Sequence, residues 1–128
     1  QIPITASDIE VANADEKTVQ RALAVVEKNI SNSDFSVEEL SRELYMSRVG
    51  LYKKLLSLTG KTPIEFIRII RLKRAAQLLE KSQLSISEIA YEVGFNNPKY
   101  FAKYFKTQFG MLPSQYQADK RRADDAAR

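Results

Sequence analysis

The chain is 128 residues long, enough for one domain with a modest core, and carries 20 basic against 16 acidic side chains. It has no cysteine, which excludes disulfides and thiol chemistry, and no histidine, which removes the commonest general base and metal ligand. No apolar run approaches a membrane span and no signal peptide opens the chain, so the expected location is the cytoplasm.

Residues 1–16, QIPITASDIEVANADE, are acidic, contain Pro3 and show no helical period; they read as a linker or the tail of an upstream domain. A helix should follow from Asp15 or Lys17 to Ile30, with Val19, Ala22, Leu23, Val26 and Ile30 at helical spacing. It is expected to pack on the helices that come next. Ser36-Val37-Glu38-Glu39 has the capping-box pattern and opens a short helix running to about Leu44. Tyr45-Met46 makes a turn, and Ser47 caps a second helix that ends near Gly60.

Pro63 suits the first position of the helix 63–81, PIEFIRIIRLKRAAQLLEK, which has no glycine and no internal proline. Laid out at about 100° per residue, Phe66 and Ile70 point one way, while Leu72, Ala76 and Leu79 point nearly the opposite way. Ile64, Ile67, Ala75 and Leu78 lie between. Such a helix is either packed between two bodies or buried in the core of one bundle. Ser85-Ile86-Ser87-Glu88 then repeats the capping box ahead of a helix to about Val93. Gly94-Phe95-Asn96 turns, with Gly94 suited to a left-handed conformation, and Asn97 with Pro98 starts a helix that ends near Gly110. Residues 118–128 form a tail that begins as helix and frays.

The segments Phe35 to Phe66 and Leu84 to Tyr116 are two copies of one unit. A shift of 49 carries Ser36, Glu39, Leu40, Glu43 and Leu44 onto Ser85, Glu88, Ile89, Glu92 and Val93. A shift of 50 carries Ser47, Leu51, Lys53, Leu55, Gly60, Pro63 and Phe66 onto Asn97, Phe101, Lys103, Phe105, Gly110, Pro113 and Tyr116. Caps, core positions and turn residues match together, and the offset changes at the turn, where an insertion is tolerated. Each copy is a helix, a short turn and a second helix: a helix-turn-helix, whose second helix can enter a major groove.

Charge is placed unevenly along the chain. Residues 1–46 hold 4 basic and 9 acidic side chains, whereas residues 47–128 hold 16 basic and 7 acidic ones. A basic block that begins at the first candidate recognition helix is what a nucleic-acid face requires. In the first of these helices Leu51, Leu55 and Leu58 share the inward face, with Val49, Tyr52, Lys53 and Leu56 opposite and Arg48 beside them. In the second, Phe101, Phe105 and Gln108 take the inward side, and Lys99, Ala102, Lys103 and Lys106 the outward side. Lysine or arginine there can donate to guanine, and valine, alanine or a tyrosine ring can pack on thymine methyls. Ser47 and Asn97, with exposed N–H groups, suit phosphates, as do Lys54 and Lys106 unless these are plain solvated charge. Tyr100 and Tyr104 read as core or flanking aromatics. A helical protein–protein module is the rival reading. An enzyme has nothing to work with: there is no phosphate loop, no paired-carboxylate motif, no metal-ligand set and no sign of a cofactor.

With these residues in hand, the chain closely resembles the DNA-binding domain of AraC/XylS-type transcription regulators, over about Lys17 to Gln117. The resemblance is most specific at Ala90, Val93, Gly94, Phe95, Tyr100, Phe101, Phe105, Lys106, Phe109, Gly110, Pro113 and Tyr116. It implies an all-α fold of about seven helices. Two helix-turn-helix motifs, at about 36–59 and 85–109, would be joined by the linker helix 63–81 within a domain at 17–117. It further implies two recognition helices in successive major-groove segments of promoter DNA, RNA polymerase as a partner, and activation as the usual outcome. By position the base contacts would be Val49, Tyr52 and Lys53 with Arg48 nearby, and Lys99, Ala102 and Lys103 with Asn96 and Asn97 beside them. The wording SRVGLYKKLLSLTGKTPIEFIRIIRLKRAAQLL resembles the C-terminal output domain of hybrid two-component regulators, which carry receiver and kinase domains upstream. Gly50 inside the first recognition helix and the small Ala102 depart from a readable base code.

Overall fold

A computed structural model describes the backbone of residues 9–127 and the side chains of residues 14–127. Seven helices follow one another: α1 (Ile9–Lys28), α2 (Val37–Glu43), α3 (Arg48–Thr59), α4 (Pro63–Lys81), α5 (Ile86–Glu92), α6 (Pro98–Phe109) and α7 (Pro113–Ala126). No strand occurs among the described residues. None of their helices is long and apolar enough to cross a membrane.

The helices begin where the sequence can satisfy their free N–H groups. Ser85 accepts from the Glu88 N–H at 3.1 Å while the Glu88 carboxylate accepts from the Ser85 N–H at 2.9 Å, a complete capping box. At α2 the serine half is present, Ser36 accepting from the Glu39 N–H at 3.2 Å. A further box opens α4. The Thr62 N–H donates to Glu65 Oε1 at 2.9 Å, and the Glu65 N–H to the Thr62 hydroxyl at 3.4 Å. Its signal is Thr62-Pro63-Ile64-Glu65, a threonine with a glutamate three residues on. These bonds hold the carboxyls of Glu65 and Glu88 below their ordinary pKa, because each carboxylate accepts from backbone N–H groups.

Some helix ends differ from expectation. α1 starts at Ile9, so residues 9–16, expected as linker, are helical; residues 1–8 lie outside the described residues. α1 also stops at Lys28, and Asn29 closes it by donating its side-chain amide to the Val25 carbonyl at 2.8 Å. At the other end the tail begins as helix, as expected, and α7 carries it on to Ala126.

The chain divides into two compact units, one formed by residues up to Asn29 with Phe35–Ile70, the other by Ile30–Asp34 with Arg71–Arg128. In the first, α1 packs against α2 and α3, and α2 against α3. Its core holds Ala22, Val26, Phe35, Leu40, Leu44, Leu51 and Leu55, with Phe66, Ile67 and Ile70 from the start of α4. In the second, Leu72, Ala75, Ala76 and Leu79 of α4 join Ile89, Ala90, Val93, Phe101 and Phe105. Each such large apolar side chain contributes about 1.5–3 kcal/mol on burial. α4 thus supplies different residues to two bodies, as its two apolar faces predict. Ile64 stands outside both sets and is exposed.

The cores differ in material. The first is mostly aliphatic, whereas the second carries a run of ring contacts from Phe95 to Phe101, Phe105, Phe109 and Tyr116, with centroids 4.5–5.7 Å apart. Tyr116 also donates its hydroxyl to Glu80 at 2.8 Å; burial and this carboxylate push the phenol pKa up to about 12.

The repeat reaches further than the two motifs. Shifted by 53, Thr18, Val19, Arg21, Ala22, Val26, Glu27 and Lys28 of α1 fall on Arg71, Leu72, Arg74, Ala75, Leu79, Glu80 and Lys81 of α4. Ala22 and Ala75 are both fully buried, as are Val26 and Leu79. The repeat is therefore one of three helices, α1–α2–α3 and α4–α5–α6, with α7 packing on α6.

Candidate nucleic-acid interface

Each motif turns through the same backbone device. In the first, the Tyr45 N–H donates to the Arg42 carbonyl at 3.1 Å and the Met46 N–H to the Ser41 carbonyl at 2.9 Å. In the second, the Gly94 N–H donates to the Tyr91 carbonyl at 3.0 Å and the Phe95 N–H to the Ala90 carbonyl at 2.9 Å. These are Schellman closures, which require a left-handed residue just past the helix. Tyr45 (φ 56°) and Gly94 (φ 91°) supply it.

The second helix of each pair is then rotated by its core anchors. Leu51 and Leu55 in α3, and Phe101 and Phe105 in α6, have no exposed surface. One turn apart, each pair fixes which side of its helix faces outward. Lys53 and Lys103, the residues that the repeat matches, fall about 180° from the centre of their anchors and are exposed. Arg48, Val49 and Tyr52 share the exposed side of α3, Val49 being 64% exposed. Lys99 and Lys106 share that of α6, and Asn96 is exposed just before it. Ala102 and Asn97 are half-buried.

The caps keep a donor for an outside ligand. Ser47 Oγ accepts from the Gly50 N–H at 3.0 Å, which leaves its own proton to donate. Asn97 Oδ1 accepts from the Lys99 N–H at 2.9 Å, which leaves the amide NH₂. Both suit a phosphate oxygen beside the helix N-terminus.

Three residues sit differently from the sequence reading. Gln108, expected inward, is exposed although it stands only about 40° from the centre of the anchors; it lies in the last turn of α6, beside the final residue Phe109. Tyr100, expected as a core or flanking aromatic, is 58% exposed, whereas Tyr104 packs partly buried against the core. On the helical wheel Tyr100 stands about 60° from Lys103 and Ala102 about 100° away, a signal that the sequence already held. Lys54, a candidate phosphate contact, forms an ion pair with Asp15 of α1 at 3.2 Å. Its partner lies where the acidic stretch 1–16 meets the expected start of the first helix.

A family model described as a helix-turn-helix domain matches residues 40–119, well over half of the chain. Histidine kinase P4 of Formosa agariphila is 49% identical over 89% of the chain, which spans 8% of that protein. The chain spans less than half the length of each of the first curated relatives it matches. Among solved structures, the C-terminal domain of AraT, a response regulator from Geobacillus stearothermophilus, is 34% identical. It aligns with a TM-score of 0.73 over 80% of this chain and 84% of that one. The DNA-binding domain of AdpA, a global transcriptional factor solved with a target DNA, is 31% identical, with a TM-score of 0.75 over 82% of this chain and 94% of that one. With both motifs present and each recognition helix exposing its basic side, the chain belongs to the AraC-type family of helix-turn-helix DNA-binding domains of transcription regulators.

Proposed function

We propose that this domain activates transcription from promoters by setting α3 and α6 into successive major-groove segments of one duplex. Val49, Tyr52 and Lys53, with Arg48, would read the first segment. Lys99, Ala102 and Lys103, with Asn96 and Asn97, would read the second. Ser47, Lys54 and Lys106 would hold phosphates. The DNA-binding domain would span 17–117, preceded in a longer cytoplasmic protein by receiver and kinase domains, and RNA polymerase would be its partner on the promoter. The observation that carries this reading is the exposure of Lys53 and Lys103 at matched places opposite buried anchor pairs. A protein-docking module would not need a lysine at both.

The test is selection of bound duplexes from a random library, followed by salt titration of the selected sequence. Because the two exposed faces differ, a single chain should select an asymmetric site whose two segments lie roughly 10 base pairs apart. Affinity should fall steeply with salt, by about one unit of log–log slope per phosphate contact. A short inverted repeat bound only by two chains, or affinity that is flat with salt, would overturn the reading.

A further inference from the structure

One guanidinium in the second unit is buried, that of Arg71, with 6% of its surface exposed. Among the described residues no carboxylate pairs with it. Instead Nη1 donates to the carbonyls of Val93 at 3.1 Å and Ile30 at 3.2 Å, and Nη2 to that of Asn32 at 3.0 Å. A buried charge without a counter-ion is costly unless several acceptors surround it, so its place is strongly determined by those three carbonyls. Val93 is the C-cap of α5, and the turn that starts there leads into α6. Gly94 lies directly on the guanidinium: a Cβ at that position would stand 1.3 Å from Nη1 and 2.5 Å from the Ile30 carbonyl oxygen.

The first unit lacks this arrangement. Thr18 occupies the position of α1 that matches Arg71, and Tyr45 the position that matches Gly94. The arginine and the glycine therefore depart from the other copy together, and they touch.

We propose that Arg71 is a positioning residue for the second motif: by holding the turn Val93–Phe95 it sets where α6 presents Lys99 and Lys103. This rests on the DNA reading above. The hydrogen-bonded guanidinium keeps the turn in one register against α4 and the segment Ile30–Asn32. Without it the helix can still form from its own cap and anchors, but its first turn is no longer held to the tolerance that base reading requires.

The probe is the duplex selected from a random library by the unaltered chain, with its two segments scrambled one at a time. The unaltered chain should lose about tenfold or more on scrambling either segment. Lys103→Ala identifies which segment belongs to α6. Arg71→Met should then bind the full duplex about as weakly as the unaltered chain binds the duplex scrambled in that segment, while still discriminating at the other. Arg71→Lys, which keeps one charged donor, should recover part of the lost discrimination. A cooperatively melting Arg71→Met that reads the second segment as well as the unaltered chain would overturn the proposal, as would a loss spread equally over both segments. If Arg71→Met does not melt cooperatively, Arg71→Lys decides: a loss confined to the second segment supports the role, and an unchanged preference overturns it. If the unaltered chain itself discriminates at neither segment, the interface reading fails, and the role of Arg71 falls with it.

Discussion

The turn of the first motif and the turn of the second hold the same backbone shape for different neighbours. At the first, Tyr45 takes the left-handed conformation with its side chain 92% exposed. At the second, Gly94 takes it buried, with the Arg71 guanidinium where a side chain would be. A non-glycine residue in that region bears about 1–2 kcal/mol of strain, which the first turn carries and the second does not. A sequence repeat preserves the hydrogen-bonding of a motif more faithfully than it preserves what the motif packs against.

The largest expected effects come from exchanging those solutions. Gly94→Ala should destabilise by about 3–5 kcal/mol, because left-handed strain adds to the displacement of charge-assisted hydrogen bonds. Tyr45→Gly should stay within about 1 kcal/mol, since relief of strain is offset by the freedom glycine gains in the unfolded chain. Urea unfolding followed by circular dichroism measures both, and equal costs would mean that the two turns are equivalent after all.

Next in size is the comparison of the recognition helices. Lys53→Ala and Lys103→Ala should each weaken binding to the selected duplex by about 1–3 kcal/mol and relax preference in different segments. If both lysines weaken specific and random DNA alike, they touch phosphates only.

A smaller effect separates the two N-caps. Ser36→Ala and Ser85→Ala should each cost about 1 kcal/mol in thermal or urea unfolding. Glu88→Gln should add a loss at α5 that Glu39→Gln does not add at α2, because the reciprocal half of the box is formed at α5. The smallest expected effect is on pH dependence. Glu65 and Glu88 have folded pKa values depressed below 4.5, so their contribution is fully present above that value. It is lost as pH falls through 4.5 and below. Unfolding curves across that range should lose part of this slope in Glu88→Gln, and a slope unchanged by the substitution would remove the cap from the account.

Much of the architecture was legible because it is local. Serine and asparagine caps, glycine ends, and the i, i+4 pairs Leu51–Leu55 and Phe101–Phe105 are short-range requirements of a helix on a core, and the structure places them as their pattern implies. The outward set of α3 and α6 followed, since once a pair is buried the opposite side must face out. Less was legible on the flank and in the last turn of a helix. Tyr100 and Gln108 are both exposed, because a wheel gives an angle, and burial depends on how far the neighbouring helix reaches.

By itself the sequence determined six helical segments and a tail that begins as helix, two repeated motifs and a long helix with two apolar faces, because helix period, capping and turn chemistry act over a few residues. Only the tertiary structure decided that Arg71 is buried rather than one more basic residue of α4, that Asp15 reaches Lys54, and that Ile30–Asp34 packs with the second unit. Those contacts join residues 22 to 41 positions apart. No local propensity encodes such separations; they exist because helices that each bury one face bring particular backbone carbonyls and charges together.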